Sequence, residues 1–140
     1  MLQETGMRRI AAVFALLSVI AVTGCITRYD STDKLRDLEF TVTDEENAPE
    51  ELRTMLDESH GSPYHIIYAD QGTLWIAEGY GRKETTGYSV EVTELYETED
   101  AIHIRTNLLG PQKKEKILEA ATYPGVIVQL EYIGKDVLFD

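Results

Sequence analysis

Tyr64-His65-Ile66-Ile67-Tyr68-Ala69-Asp70-Gln71-Gly72-Thr73-Leu74-Trp75-Ile76-Ala77-Glu78 decides the fold. Two runs, Tyr64–Ala69 and Thr73–Glu78, are rich in β-branched and aromatic residues, and Asp70-Gln71-Gly72 joins them as a tight hairpin. Downstream the β signal continues. Tyr88, Val90 and Val92 alternate with Ser89, Glu91 and Thr93, and Ile102, Ile104, Thr106 and Leu108 alternate with His103, Arg105 and Asn107. Such period-two patterning fits strands with one buried face. Residues 97–100 read as the polar turn between these strands. The stretch 110–122 shows no clear period, and within it 115–121 reads as a helical turn or a crossover. Tyr123-Pro124-Gly125 ends it, Val126–Ile133 is the last long strand, and Val137–Phe139 is a short edge.

Upstream of the hairpin, Leu38, Phe40 and Val42 predict a strand and Thr43–Asn47 an acidic turn. Pro49 suits the first position of a helix, and Glu50 and Glu51 suit its positive end. Leu52, Met55 and Leu56 fall at i, i+3 and i+4, which predicts one buried helix face. His60-Gly61-Ser62-Pro63 stops it. The expected fold is mainly β (α+β): about six strands in a small antiparallel sheet, or a partly closed barrel or sandwich, with one short helix.

The 140 residues suffice for one ordinary domain. Thirteen Lys and Arg against 25 Asp and Glu give a formal charge of −12. Phosphates repel such a domain, and it gains no affinity from counterion release, so nucleic acid is not the expected partner. A lone cysteine, Cys25, makes no internal disulfide.

The first 24 residues read as an address. Arg8 and Arg9 precede Ile10–Val22, an uncharged run short for a permanent bilayer helix but suited to a signal peptide. Val22-Thr23-Gly24-Cys25 then resembles the bacterial lipobox, in which the cysteine takes a diacylglycerol and leader cleavage follows. On this reading Cys25 is the lipidation site and residues 25–37 are a tether. A β-rich domain fills 38–140, held outside the cytoplasm on the cell membrane by its lipid. Cleavage leaves 11 basic and 24 acidic side chains, a net −13. Anionic head groups repel that body, so attachment falls to the acyl chains.

Catalytic patterns are weak. His60 and His65 bracket a Gly-Ser-Pro turn, but their spacing is not that of a helical zinc motif and no cysteine remains to join them. His103 falls on the polar side of its strand and reads as solvated. Ser62 and Ser89 lack a nucleophile-elbow context, and the pairs Glu45-Glu46 and Glu50-Glu51 read as solvated charge. No glycine pattern for a nucleotide is present. The expectation is a non-enzyme without cofactor or metal.

The distinctive segment is Glu78-Gly79-Tyr80-Gly81-Arg82-Lys83-Glu84-Thr85-Thr86-Gly87-Tyr88, longer than a hairpin needs. Its glycines allow sharp turns or close approach, its threonines offer hydroxyls, and Tyr80 and Tyr88 bring the rigid, polar-tipped area favoured at interfaces. From Gly81 through Tyr88 and Val92, and on to Tyr123-Pro124 and the final strand, the chain resembles the C-terminal domain of PrcB. The usual core of that family is Gly-Glu-Lys-Pro-Thr-Gly-Gly-Tyr. Lys83, Thr85, Gly87 and Tyr88 match it, Glu84 replaces the proline, and Thr86 replaces a glycine. The likeness spans about Tyr64 to Ile133. It implies a non-catalytic lipoprotein subunit that helps a surface protease assemble or stay stable. Its partner contacts would be Lys83, Thr85, Thr86, Gly87 and Tyr88, joined by Tyr123 and Pro124. Glu84-Thr85-Thr86-Gly87-Tyr88 is also similar to a loop of chagasin-type protease inhibitors, which implies the alternative of inhibition through Thr85-Thr86-Gly87.

Overall fold

The computed structural model describes residues 33–59 and 61–140. The leader, Cys25, most of the tether and His60 lie outside the described residues. In chain order the described residues form β1 (Lys34–Asp37), β2 (Thr41–Thr43), a 3₁₀ turn (Glu45–Asn47), α1 (Glu50–Glu58), β3 (Pro63–Asp70), β4 (Thr73–Tyr80), β5 (Ser89–Thr98), β6 (Ala101–Leu109), β7 (Gly125–Glu131) and β8 (Asp136–Phe139).

The strands make two four-stranded sheets, ordered β1-β5-β6-β8 and β2-β7-β4-β3. All neighbours are antiparallel except β6 and β8. The sheets face each other as an open sandwich and do not close into a barrel. Leu74 and Ile76 of β4 and Val126, Val128 and Leu130 of β7 meet Leu95, Ile102 and Ile104 of the opposite sheet. Alternation sends the intervening residues of β4 and β7 the other way. Ala77 and Ile127 pack with Ala48, Leu52 and Leu56 beneath α1, beside Tyr64, Ile66, Tyr68 and Trp75. One sheet is therefore covered on both faces, which explains why β4 and β7 read as nearly continuous apolar runs.

The hairpin stands as expected: Gln71 and Gly72 turn with φ of 48° and 80°, and β3 and β4 pair in unbroken register. Both φ values positive is the turn that matches the twist of paired strands.

Several boundaries differ. The strand expected at Leu38–Val42 is reduced to β2, Thr41–Thr43. The chain crosses between sheets at 38–40, and Phe40 and Val42 stay largely exposed. Lys34–Asp37, read as the end of the tether, pairs with β5. Its charged side chains sit on an exposed edge, where they cost little. Met55 is exposed, leaving Leu52 and Leu56 as the buried helix face. Glu97 and Thr98 belong to β5 and are buried, so the turn is only Glu99-Asp100. A register shift between Val92 and Glu94 re-phases β5 and brings Leu95 and Glu97 inward.

Candidate interaction site

β4 runs directly into the distinctive loop. Tyr80 N–H donates to the Pro124 carbonyl at 3.0 Å, continuing the ladder with β7 past its end. Lys83 and Thr122 then exchange two backbone hydrogen bonds, of 2.8 and 2.9 Å. Further along, Thr86 N–H donates to Leu118 O at 3.0 Å, and Leu118 N–H donates to Thr86 Oγ1 at 2.9 Å. The Thr122 hydroxyl donates to Thr85 O at 2.7 Å, and Thr85 Oγ1 donates to Thr86 O at 3.1 Å. The loop 81–88 is thus laced to the crossover 110–124, a segment without regular structure that the sequence left open.

Gly87 is where the two meet most closely. Its φ is +97°, and a Cβ there would lie 2.8 Å from Pro111 Cβ and 3.3 Å from Ile117 Cγ2. A side chain at this position would be strained and would also wedge the segments apart. Gly79, read as allowing a sharp turn or a close approach, serves the second. Its φ is not positive; a Cβ there would fall 2.1 Å from Tyr64 Cε2. Gly79 and Gly125 together clear the space in which the Tyr64 ring lies.

Lys83, Thr85, Thr86 and Gly87 are therefore brought together with the segment that carries Tyr123 and Pro124. The threonine hydroxyls are spent within the site rather than offered outward. Tyr88 is half-buried beside Gly110. Tyr80 turns between the sheets, its hydroxyl 2.6 Å from Thr106 Oγ1. What the two segments present to solvent is Leu109, Ile117, Leu118 and Tyr123, with Leu118 62% exposed. Lys113, Lys114 and Lys116 are exposed beside them, a basic cluster in a chain of net −12. Arg82 pairs with Glu84. Ile117 and Leu118 escaped the sequence reading because two adjacent apolar residues in an aperiodic stretch look like core.

A cleft of about 320 Å³ opens next to this face, lined by Leu56, Tyr64, Gly81, Thr122, Tyr123 and Pro124. Burial first, and then the Glu45 carboxylate, raise the Tyr64 phenol above its ordinary value of 10.0. The cleft brings this phenol together with glycine, an exposed tyrosine and a proline.

The histidines have other duties. His65 stacks on Phe139 with centroids 4.0 Å apart, and its Nε2 lies 3.8 Å from Glu78. Glu78 is buried, and Thr106 Oγ1 lies 2.8 and 2.9 Å from its two oxygens. His103, expected to be solvated, is instead stacked on Tyr96 and set 3.2 Å from Asp140. Its cross-strand partner Tyr96 on β5 and the returning C-terminus cover the face that alternation alone would leave open. Among the described residues no group of three or more His, Cys, Asp or Glu is placed to hold a metal.

Residues 74–131 match the PrcB C-terminal family. The match bears out the resemblance carried by the loop motif, over a shorter stretch than the motif suggested. No curated protein and no solved structure matches the chain. The matched stretch begins in β4 and ends with β7, so it contains both laced segments whole. Leu56 and Tyr64, which complete the cleft, lie outside it.

Proposed function

We propose that this chain is a lipid-anchored, extracytoplasmic binding module, a non-catalytic accessory subunit that assembles or stabilises a secreted or surface protease. The observation that carries the reading is the pair of laced segments. Their polar groups are satisfied internally, while Ile117, Leu118 and Tyr123 stand exposed on a preformed surface. Apolar and aromatic groups on an ordered support bind at low entropic cost. The PrcB C-terminal match over 74–131 supports a protease-related partner. Attachment to the membrane rests on the leader and on Cys25 as the acylated residue.

Inhibition through Thr85-Thr86-Gly87 gains less support. An inhibitory loop must offer its tip to a cleft, and here Thr85 O and Thr86 Oγ1 are already engaged by Thr122 and Leu118.

Mass spectrometry of the membrane-extracted protein should find Cys25 as a diacylated N-terminus, with Cys25→Ser released in soluble form. Deleting the gene should lower the amount of a secreted protease, and restoring the chain with Leu118→Glu should not rescue it. Unchanged protease levels on deletion would refute the accessory role. An unmodified leader on a cytosolic protein would refute the anchor.

A further inference from the structure

We propose that the free edge of β3 accepts an extended, cationic segment of another polypeptide as an added strand, at a surface separate from the laced loops. Every sheet edge exposes unpaired backbone groups, and proteins usually shorten, charge or bend such edges. Among the described residues, three of the four edges follow that rule. β2 has three residues, β8 has four, and β1 has four with a register shift and two basic side chains. β3 has eight residues, pairs with β4 without any shift, and contains no Lys or Arg.

The outward groups follow from the register. Tyr80 N–H donates to Pro124 O, and Tyr132 N–H donates to Gly72 O, so residues 72 to 80 in steps of two turn their backbone groups toward β7. The alternate residues of β4 turn theirs toward β3, where Tyr64, Ile66, Tyr68 and Asp70 receive them. His65, Ile67 and Ala69 therefore point N–H and C=O away from the sheet, and no other described strand pairs with them. Pro63, whose nitrogen has no hydrogen to offer, closes the row. An added strand along β3 would run about 26 Å.

Charge selects the occupant. The Glu51 and Asp70 carboxylates act on the Tyr68 phenol, Glu45 acts on Tyr64, and no Lys or Arg lies within β3. These carboxylates and the net charge of −12 favour a strand bearing lysine or arginine over an acidic one. A second copy of this chain would bring another body of net −12 to the same edge, which disfavours self-pairing.

Residue-resolved amide exchange on the full chain tests this with two capped eight-residue peptides, alternating threonine with lysine or threonine with glutamate. In the free protein the amides of His65, Ile67 and Ala69 should exchange far faster than those of Ile66 and Tyr68. The lysine peptide should protect those three, and the glutamate peptide should not. Ala69→Pro removes one outward N–H without touching the β4 ladder. It should weaken lysine-peptide binding about tenfold, the loss of one hydrogen bond, with the melting temperature unchanged. Ile67→Lys, which sets a like charge on the edge, should also weaken it should Ala69→Pro fail to fold. No protection by either peptide, or equal protection by both, overturns the proposal. So does slow exchange at the three amides in the free protein, which would mean the edge is already covered. Sedimentation as a dimer that Ala69→Pro dissolves would assign the edge to a second copy instead.

Discussion

The two ends of β5 solve opposite problems. At the Thr98 end, charge is paired and enclosed. Glu97 takes Arg36 Nε at 2.6 Å and Lys135 Nζ at 2.7 Å, and Lys135 also donates to Thr98 O at 2.9 Å. Thr98, fully buried, lies 3.3 Å from His103, which meets Asp140. These contacts tie β1, the β7–β8 turn and the C-terminus into one sheet. At the Ser89 end, backbone and hydroxyl groups are likewise satisfied, yet lysines and apolar side chains are turned outward. One end closes on its own charges, and the other leaves Leu109, Ile117 and Leu118 exposed beside three lysines, the face on which the proposed contact rests.

That contrast breaks most readily at Gly87. Gly87→Val places a branched side chain at φ +97° against Pro111, and the loss should be about 1–3 kcal/mol of stability. Chemical denaturation reads the loss, and partner capture by the laced segments should fail at temperatures where the sandwich survives. Intact capture would show that the close approach at this glycine is not needed.

Glu97 sharpens the other side. Lys135 first, and then Arg36, hold its carboxyl below the usual 4.5. A carboxyl whose pKa is depressed on folding contributes stability that is complete above its unfolded value and disappears as pH falls through the folded one. Glu97→Gln should therefore lower the melting temperature near neutrality and leave it little changed at a pH below both values. An equal drop at both pH values would mean that side-chain shape, not the ion pairs, holds this end. Partner binding at the far end of β5 should be unaffected.

Thr86→Val asks less. It keeps the shape of the side chain but leaves Leu118 N–H without its hydroxyl acceptor, at a cost of about 0.5–1.5 kcal/mol. Amide exchange at Leu118 should quicken while exchange in β4 and β7 does not. Smallest of all, changing Lys113, Lys114 and Lys116 together to Gln should alter stability by no more than about 0.5 kcal/mol. It should weaken partner association only in low salt, because screening already removes such long-range attraction at high salt.

Local patterning carried most of this architecture. The β3–β4 hairpin, the helix with Leu52 and Leu56, and strands β6 and β7 declare themselves because their periods match the faces they bury. The count of strands did not, since β1 and β2 are three or four residues long and owe their pairing to β5 and β7 rather than to their own residues. Glu97 was read as a turn residue for a related reason: the bulge near Thr93 re-phases β5, and no local pattern announces that Lys135 and Arg36 will reach it. At the candidate site, the loop from Gly81 to Tyr88 stood out through its glycines, threonines and tyrosines. Its partner Leu118 did not, because the lacing is long-range. The role of Gly79 was equally hidden, being set by the Tyr64 ring on a neighbouring strand.

The most direct test places a photoreactive phenylalanine analogue at Tyr123, on the exposed rim of the cleft, and separately at Glu99, at the opposite end of β5. Each protein is irradiated on the membranes of the producing cell. The account predicts a covalent adduct with a secreted protease from position 123 and none from position 99. The same adduct from both positions, or from neither, would contradict it.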